Sequence, residues 1–144
     1  MEIRRAAPAD SRALAELAAQ LFSSSAEELE PEFTELTADA EAACFLATDG
    51  EEAIGFAQCQ LRHDYVEGCK TSPVGFLEGI YVAEGHRLTG TGRALLSACE
   101  AWAREMDCSE FASDCELDNV ISHTWHLKNG FREMGRTIWF AKKL

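Results

Sequence analysis

Residues 75–93 read GFLEGIYVAEGHRLTGTGR. The first eight, Gly75–Val82, read as an internal strand, apolar on both faces, with two interruptions. Glu78 is a carboxylate in the middle, and burying one is costly without a partner. Gly79 weakens a strand unless the backbone must bend or something must come close. The last seven, Arg87-Leu88-Thr89-Gly90-Thr91-Gly92-Arg93, lie between that strand and the helix beginning RALLSACEAWAREM. Such a loop can turn tightly, and the helix behind it offers unsatisfied N–H groups and the positive end of its dipole, a combination that binds phosphate. A plain connection is the competing reading. It is neither a GxxxxGK[ST] loop nor a GxGxxG loop.

Outward from this unit, MEIRR reads as a first strand. Pro8 and Asp10 open a helix with Leu14, Leu17, Ala18 and Leu21 on one face, ending at Phe22. A very acidic helix follows from Ser25 to about Thr37, with Pro31 as a point of interruption. Asp49-Gly50 marks a hairpin turn, and the second strand of that hairpin runs to near Tyr65. After the helix with Leu95, Cys99, Trp102 and Met106 on one face come a strand in CSEFASD and a helix in DNVISHTWHLK. That helix carries Val120, Ile121, Thr124 and Trp125 on one side. FREMGRTIWFAKKL reads as one or two closing strands. The order is that of one mixed α/β domain spanning residues 1–144.

The bulk numbers bound the function. The net charge of −12, from 25 acidic and 13 basic residues, disfavours nucleic acid and anionic membranes as partners and suits a cationic ligand. There is no signal-peptide core or membrane-length apolar run, so the expected location is the cytoplasm. The six cysteines form no CxxC pair and lie in apolar segments, as free buried thiols do. No metal site is expected.

Two spaced motifs then carry a resemblance. R-x-x-G-x-G at Arg87–Gly92, with Asn119-x-x-Ser122-x-x-x-His126-x-x-x-Gly130-Phe131 downstream, resembles the GNAT superfamily of N-acetyltransferases. The strings RHDYVEGCKTSPVGFLEGIYV, EFASDCELDNVISH and GFREMGR resemble its aminoglycoside 6′-N-acetyltransferases, closely over residues 60–140. The resemblance implies a mixed, mostly antiparallel twisted sheet flanked by helices, with splayed parallel fourth and fifth strands. It implies acetyl transfer from acetyl-CoA to the 6′-amine of an aminoglycoside, and a homodimer. Other acceptors stay open, a polyamine or a peptide N-terminus, as does a non-catalytic acetyl-CoA-binding protein.

On the family pattern, the backbone of Ile80, Tyr81 and Val82 holds pantetheine, with an N–H, that of Ile80, polarising the thioester. The amides of Leu88, Thr89, Gly90, Thr91, Gly92 and Arg93 hold the pyrophosphate, with charge from Arg87 and Arg93. Asn119 touches the pantetheine arm, or caps its helix, or both. Glu78 and Asp114 are the catalytic and cation-binding carboxylates, with Glu78 the candidate base. Tyr65, Phe22 and Glu133 complete the acceptor site. Phe22 stands where the family has tryptophan, and Gly135 where a second acid often occurs. Each has a competing role: Glu78 in a core ion pair, Asp114 as a turn cap, Tyr65 as a strand-end aromatic. His126 is either a proton donor to the leaving thiolate or a packing residue, and packing is the preferred reading. Arg62, His63 and Asp64 have no role legible in the sequence.

Overall fold

The computed structural model describes residues 1–144. Five strands form one sheet in the order β1 (Glu2–Arg5), β2 (Ala42–Asp49), β3 (Glu52–Arg62), β4 (Val74–Val82) and β5 (Phe111–Ser113). The first three pairings are antiparallel, and β4 and β5 are parallel. The parallel pair requires a crossover, supplied by α3 (Thr91–Glu105). Helices α1 (Ser11–Ala18) and α2 (Ala26–Ala38) cover the opposite face, and α4 (Val120–Lys128) follows β5.

Alternation along the strands splits the core in two. Ala43, Phe45, Ala57, Cys59 and Leu77 pack with Leu95, Cys99 and Trp102 of α3. Cys44, Leu46 and Phe56 face the other way and pack with Leu14 of α1 and Leu29 and Phe33 of α2. The Phe33 and Phe56 rings meet edge to face at 5.9 Å. Helix α2 runs through Pro31, which does not interrupt it, and Ser25 caps its start by accepting from the Glu28 N–H.

Two expectations fail at the C-terminal end. Residues 131–144 form no strand, and Ile138, Trp139 and Phe140 stand exposed. A closing strand needs an edge, and β5 offers only three residues. Helix α4 also buries nothing fully; Val120 and Ile121 point to solvent, and Trp125 alone of its predicted face reaches the core.

Candidate active site

The site is organised by a break in β4. In the β3–β4 ladder Gln58 pairs with Gly79 and Cys59 with Leu77, so Glu78 has no partner. It is the extra residue of a β-bulge, which bends a strand and re-aims its side chains. On the other side the β5 ladder stops at the same level. Its last pair is Leu77 with Ser113, after Gly75 with Phe111 and Phe76 with Ala112. Burial changes there too, with Val74–Leu77 buried and Glu78–Val82 only half-buried. Beyond Leu77 the edge of β4 is open, and Asp114, next after Ser113, is exposed where the strands part.

The bulge shifts the alternation of β4 by one residue. Leu77 turns its carbonyl toward Ser113, whose Oγ lies 3.4 Å away. Past the bulge Ile80 and Val82 inherit that direction. The Val82 carbonyl accepts from Arg87 Nε at 2.8 Å. Arg87 is thereby folded back along β4, its guanidinium 5.6 Å from the Tyr81 ring centroid. An extended ligand in the gap can pair with the free Ile80 edge as an added strand does.

The following loop has free N–H groups and the shape to hold an anion. No backbone N–H from Arg87 to Arg93 donates to a backbone or side-chain acceptor of the protein. Leu88 (φ 62) and Gly90 (φ 87) both adopt the left-handed region, and alternation of that kind turns successive N–H groups toward one point. A fully exposed leucine held there is strained, which fits a ligand-binding loop. Behind it lies the start of α3. This donor set fits a pyrophosphate. Arg93 is turned toward the Lys128 carbonyl at 3.4 Å.

On the α1–α2 face lies a cleft of about 290 Å³ lined by Phe22, Ser24, Glu32, Phe33 and Gln58, among others. Gly79 opens onto it: a Cβ there would lie 3.0 Å from the Phe22 ring and 3.4 Å from Leu21. Gly79 thus makes room for an aromatic ring over the strand, the close approach its presence allowed for, with Phe22 as the partner the sequence did not name, while the bend comes from the bulge at Glu78. Glu32 and Gln58 were also missed; an acid on an acidic helix and a glutamine in a strand carry no signal by themselves.

Glu78 is not free. Arg62 Nε donates to its Oε1 at 3.0 Å, and Arg62 Nη2 donates to Oε1 at 2.7 Å and Oε2 at 2.9 Å. The ion-pair alternative for Glu78 is therefore realised, but beside the cleft rather than in the core. The Arg62 side chain remains 40% exposed and that of Glu78 16%.

Asn119 caps α4, its Oδ1 accepting from the Ser122 N–H at 3.1 Å, which leaves its NH₂ free. Tyr65 lies in the loop after β3, its hydroxyl donating to Glu67 at 3.4 Å. Glu67 in turn lies 3.5 Å from where a Cβ on Gly135 would stand. Glu133 is held by Arg136 at 2.9 Å and His123 at 3.4 Å, apart from the Glu78 pair. His126 Nδ1 sits 2.7 Å from the Ser122 carbonyl, which can only accept, so that nitrogen carries a hydrogen. In the neutral ring Nε2 then accepts from the Ser113 hydroxyl at 2.8 Å. Ser113 was not singled out in the sequence.

Residues 11–131 match the acetyltransferase (GNAT) family. The chain is 48% identical to an aminoglycoside N(6′)-acetyltransferase type 1 of Stenotrophomonas maltophilia, over 99% of this chain and 93% of that one. It is 42% identical to the one of Acinetobacter haemolyticus, over 100% and 99%. The apo crystal structure of an aminoglycoside antibiotic 6′-N-acetyltransferase from Acinetobacter haemolyticus superposes with a TM-score of 0.94 at 42% identity, covering 100% of this chain and 99% of that one. The structure of AAC(6′)-Iy in complex with the bisubstrate analogue CoA-S-monomethyl-acetylneamine superposes with a TM-score of 0.92 at 35% identity, covering 99% and 98%.

Proposed function

The chain belongs to the GNAT family of acetyltransferases, among the aminoglycoside N(6′)-acetyltransferases, and from that premise we propose that it moves acetyl from acetyl-CoA to the 6′-amine of an aminoglycoside. One observation carries the reading. The bulge sets a carboxylate at the level where the parallel strands part, so an acyl donor in the gap and a cationic amine in the cleft meet at Glu78. The relatives' shared acceptor favours aminoglycosides over polyamines and peptides.

In this reading all 144 residues act as one domain. Pantetheine pairs with the Ile80–Val82 edge, the pyrophosphate rests on the N–H groups of Leu88–Arg93, and the NH₂ of Asn119 contacts the pantetheine arm. The Ile80 N–H stabilises charge developing on the thioester oxygen. Holding donor and acceptor together supplies much of the rate. Asp114 and Glu78 hold the ammonium, and Glu78 takes its proton directly or through water. Phe22 offers a ring face to a sugar, with Tyr65 at the outer end; Glu133, already paired, contributes charge at a distance. His126 packs and orients Ser113, because its Nε2 has no hydrogen to give in the neutral ring.

The enzyme works as a homodimer in the cytoplasm. Exposed Ile138, Trp139 and Phe140 lie in a segment without a strand partner and need a second apolar surface. No helix is long and apolar enough to cross a membrane, and six free thiols suit a reducing compartment. The deciding experiment is a thiol-release assay with paired aminoglycosides carrying a 6′-amine or a 6′-hydroxyl. Acetylation at the 6′ position only of the amine is expected; no turnover with any 6′-amino drug defeats the reading. Light scattering on the wild type and on Trp139→Glu tests the dimer.

A further inference from the structure

The carboxylate proposed to meet the cationic amine is held by an arginine, and the position of that arginine is specific. Arg62 ends β3 opposite Val74. Its guanidinium sits over the buried Phe76 ring, with Cζ 3.4 Å from the centroid. Stacking of this kind fixes the plane of the fork. The fork then meets Glu78, two residues beyond Phe76. An ionised carboxylate has about four acceptor positions. Arg62 fills both on Oε1, through Nε and Nη2, and one on Oε2. A single acceptor position on Oε2 is left for an incoming N–H. The bulge makes this necessary, because Glu78 lacks a ladder partner opposite and its backbone is the least constrained of the strand.

We propose that Arg62 is a positioning residue for acetyl transfer: stacked on Phe76, it locks the Glu78 carboxylate and leaves one oxygen lone pair, on Oε2, to receive the acceptor amine. The pair also explains how an acid sits beside apolar residues without a compensating cation from the substrate. Its charge is balanced while the site is empty, and the ammonium adds to a held carboxylate rather than ordering a mobile one. The proposal rests on Glu78 being the amine-facing carboxylate, and its test separates the two ideas.

Steady-state kinetics would be measured for the wild type, Arg62→Met, Arg62→Lys, Glu78→Gln and the Arg62→Met/Glu78→Gln double variant, with thermal unfolding in parallel. Arg62→Met keeps the stem and loses the fork. Its kcat should fall on the order of tenfold to a hundredfold, the cost of a misplaced reacting group. Its KM for acetyl-CoA should not change, and its KM for the aminoglycoside should not rise, since a cation has left the carboxylate that meets the amine. Arg62→Lys, with a point charge but no fork, should recover part of kcat. Within the Glu78→Gln background, Arg62→Met should have no further effect, because the group it positions is gone.

A wild-type kcat for Arg62→Met beside an impaired Glu78→Gln overturns the proposal and leaves the site reading standing. The same factor lost in both backgrounds also overturns it, since Arg62 would then act independently of Glu78. A wild-type kcat for Glu78→Gln overturns the proposal and the reading of Glu78 together. If Arg62→Met does not fold, Arg62→Lys and Arg62→Gln carry the same comparison.

Discussion

Replacing Gly79 by alanine tests whether the glycine exists to seat the Phe22 ring against β4. The added Cβ would stand 3.0 Å from Phe22 Cζ and 3.4 Å from Leu21 Cδ2, whereas ordinary contact begins near 3.4 Å. The ring must therefore retreat by a few tenths of an ångström. It can, because Phe22 is 37% exposed at the mouth of the cleft. Overpacking of a closed core costs about 1–3 kcal/mol, and an open site costs less. Alanine also regains about 0.5–1 kcal/mol over glycine inside a strand. Urea unfolding should thus shift by less than about 1 kcal/mol. Function should shift more. An aromatic face contact worth about 0.5–1.5 kcal/mol corresponds to a roughly twofold to twelvefold rise in KM for the aminoglycoside. KM for acetyl-CoA should stay constant, because the donor lies along the other edge of β4. Phe22→Ala should raise the same KM, and Gly79→Ala should add little on top of it. An unchanged aminoglycoside KM in Gly79→Ala, with Phe22→Ala impaired, refutes the idea that the glycine positions the ring.

Gly90→Ala meets no atom within 4 Å but must hold φ 87, so backbone strain of about 1–2 kcal/mol is the whole cost; KM for acetyl-CoA should rise while that for the aminoglycoside does not, measured by thiol release. In the native protein an aromatic disulfide reagent should label exposed Cys115 first. Cys44, whose thiol burial pushes up to about 12, should react only after unfolding, alongside Cys59, Cys99 and Cys108, as mass spectrometry of the labelled peptides would show. Asp10 is held at about 2, below its ordinary 3.8, chiefly by its hydrogen bonds from Arg4, with the Ala7 N–H adding to them. A depressed carboxyl stabilises the fold above its unfolded value, and that contribution is lost as pH falls from about 4 through 2. Because Arg4 is half exposed, the contribution should be about 1 kcal/mol; the gap in urea midpoint between wild type and Asp10→Asn should be full at pH 6 and smaller at pH 3.

Much of the frame was legible because it rests on neighbours in the chain. The strand at Val74–Val82, the helix from Thr91 and the hairpin at Asp49-Gly50 follow from local apolar patterns and turn residues. The loop at Arg87–Arg93 could be read as a phosphate cradle for the same reason, since its donors are its own backbone. Residues 131–144 misled because TIWFAKKL has strand-like composition, yet a strand exists only where another edge pairs with it. Val120 and Ile121 misled likewise, since periodicity names a face but not what covers it.

Sequence alone determined that a strand with a carboxylate and a glycine leads into an anion-binding loop and helix, because each of those properties is fixed within a few residues. Tertiary structure decided what the two interruptions do. Register places the bulge at Glu78, brings Arg62 from 16 residues away onto its carboxylate, and lays Phe22 over Gly79. Those partners come from β3 and from the turn after α1, and only the pairing of whole strands and the packing of the helix against them fixes which side chains meet.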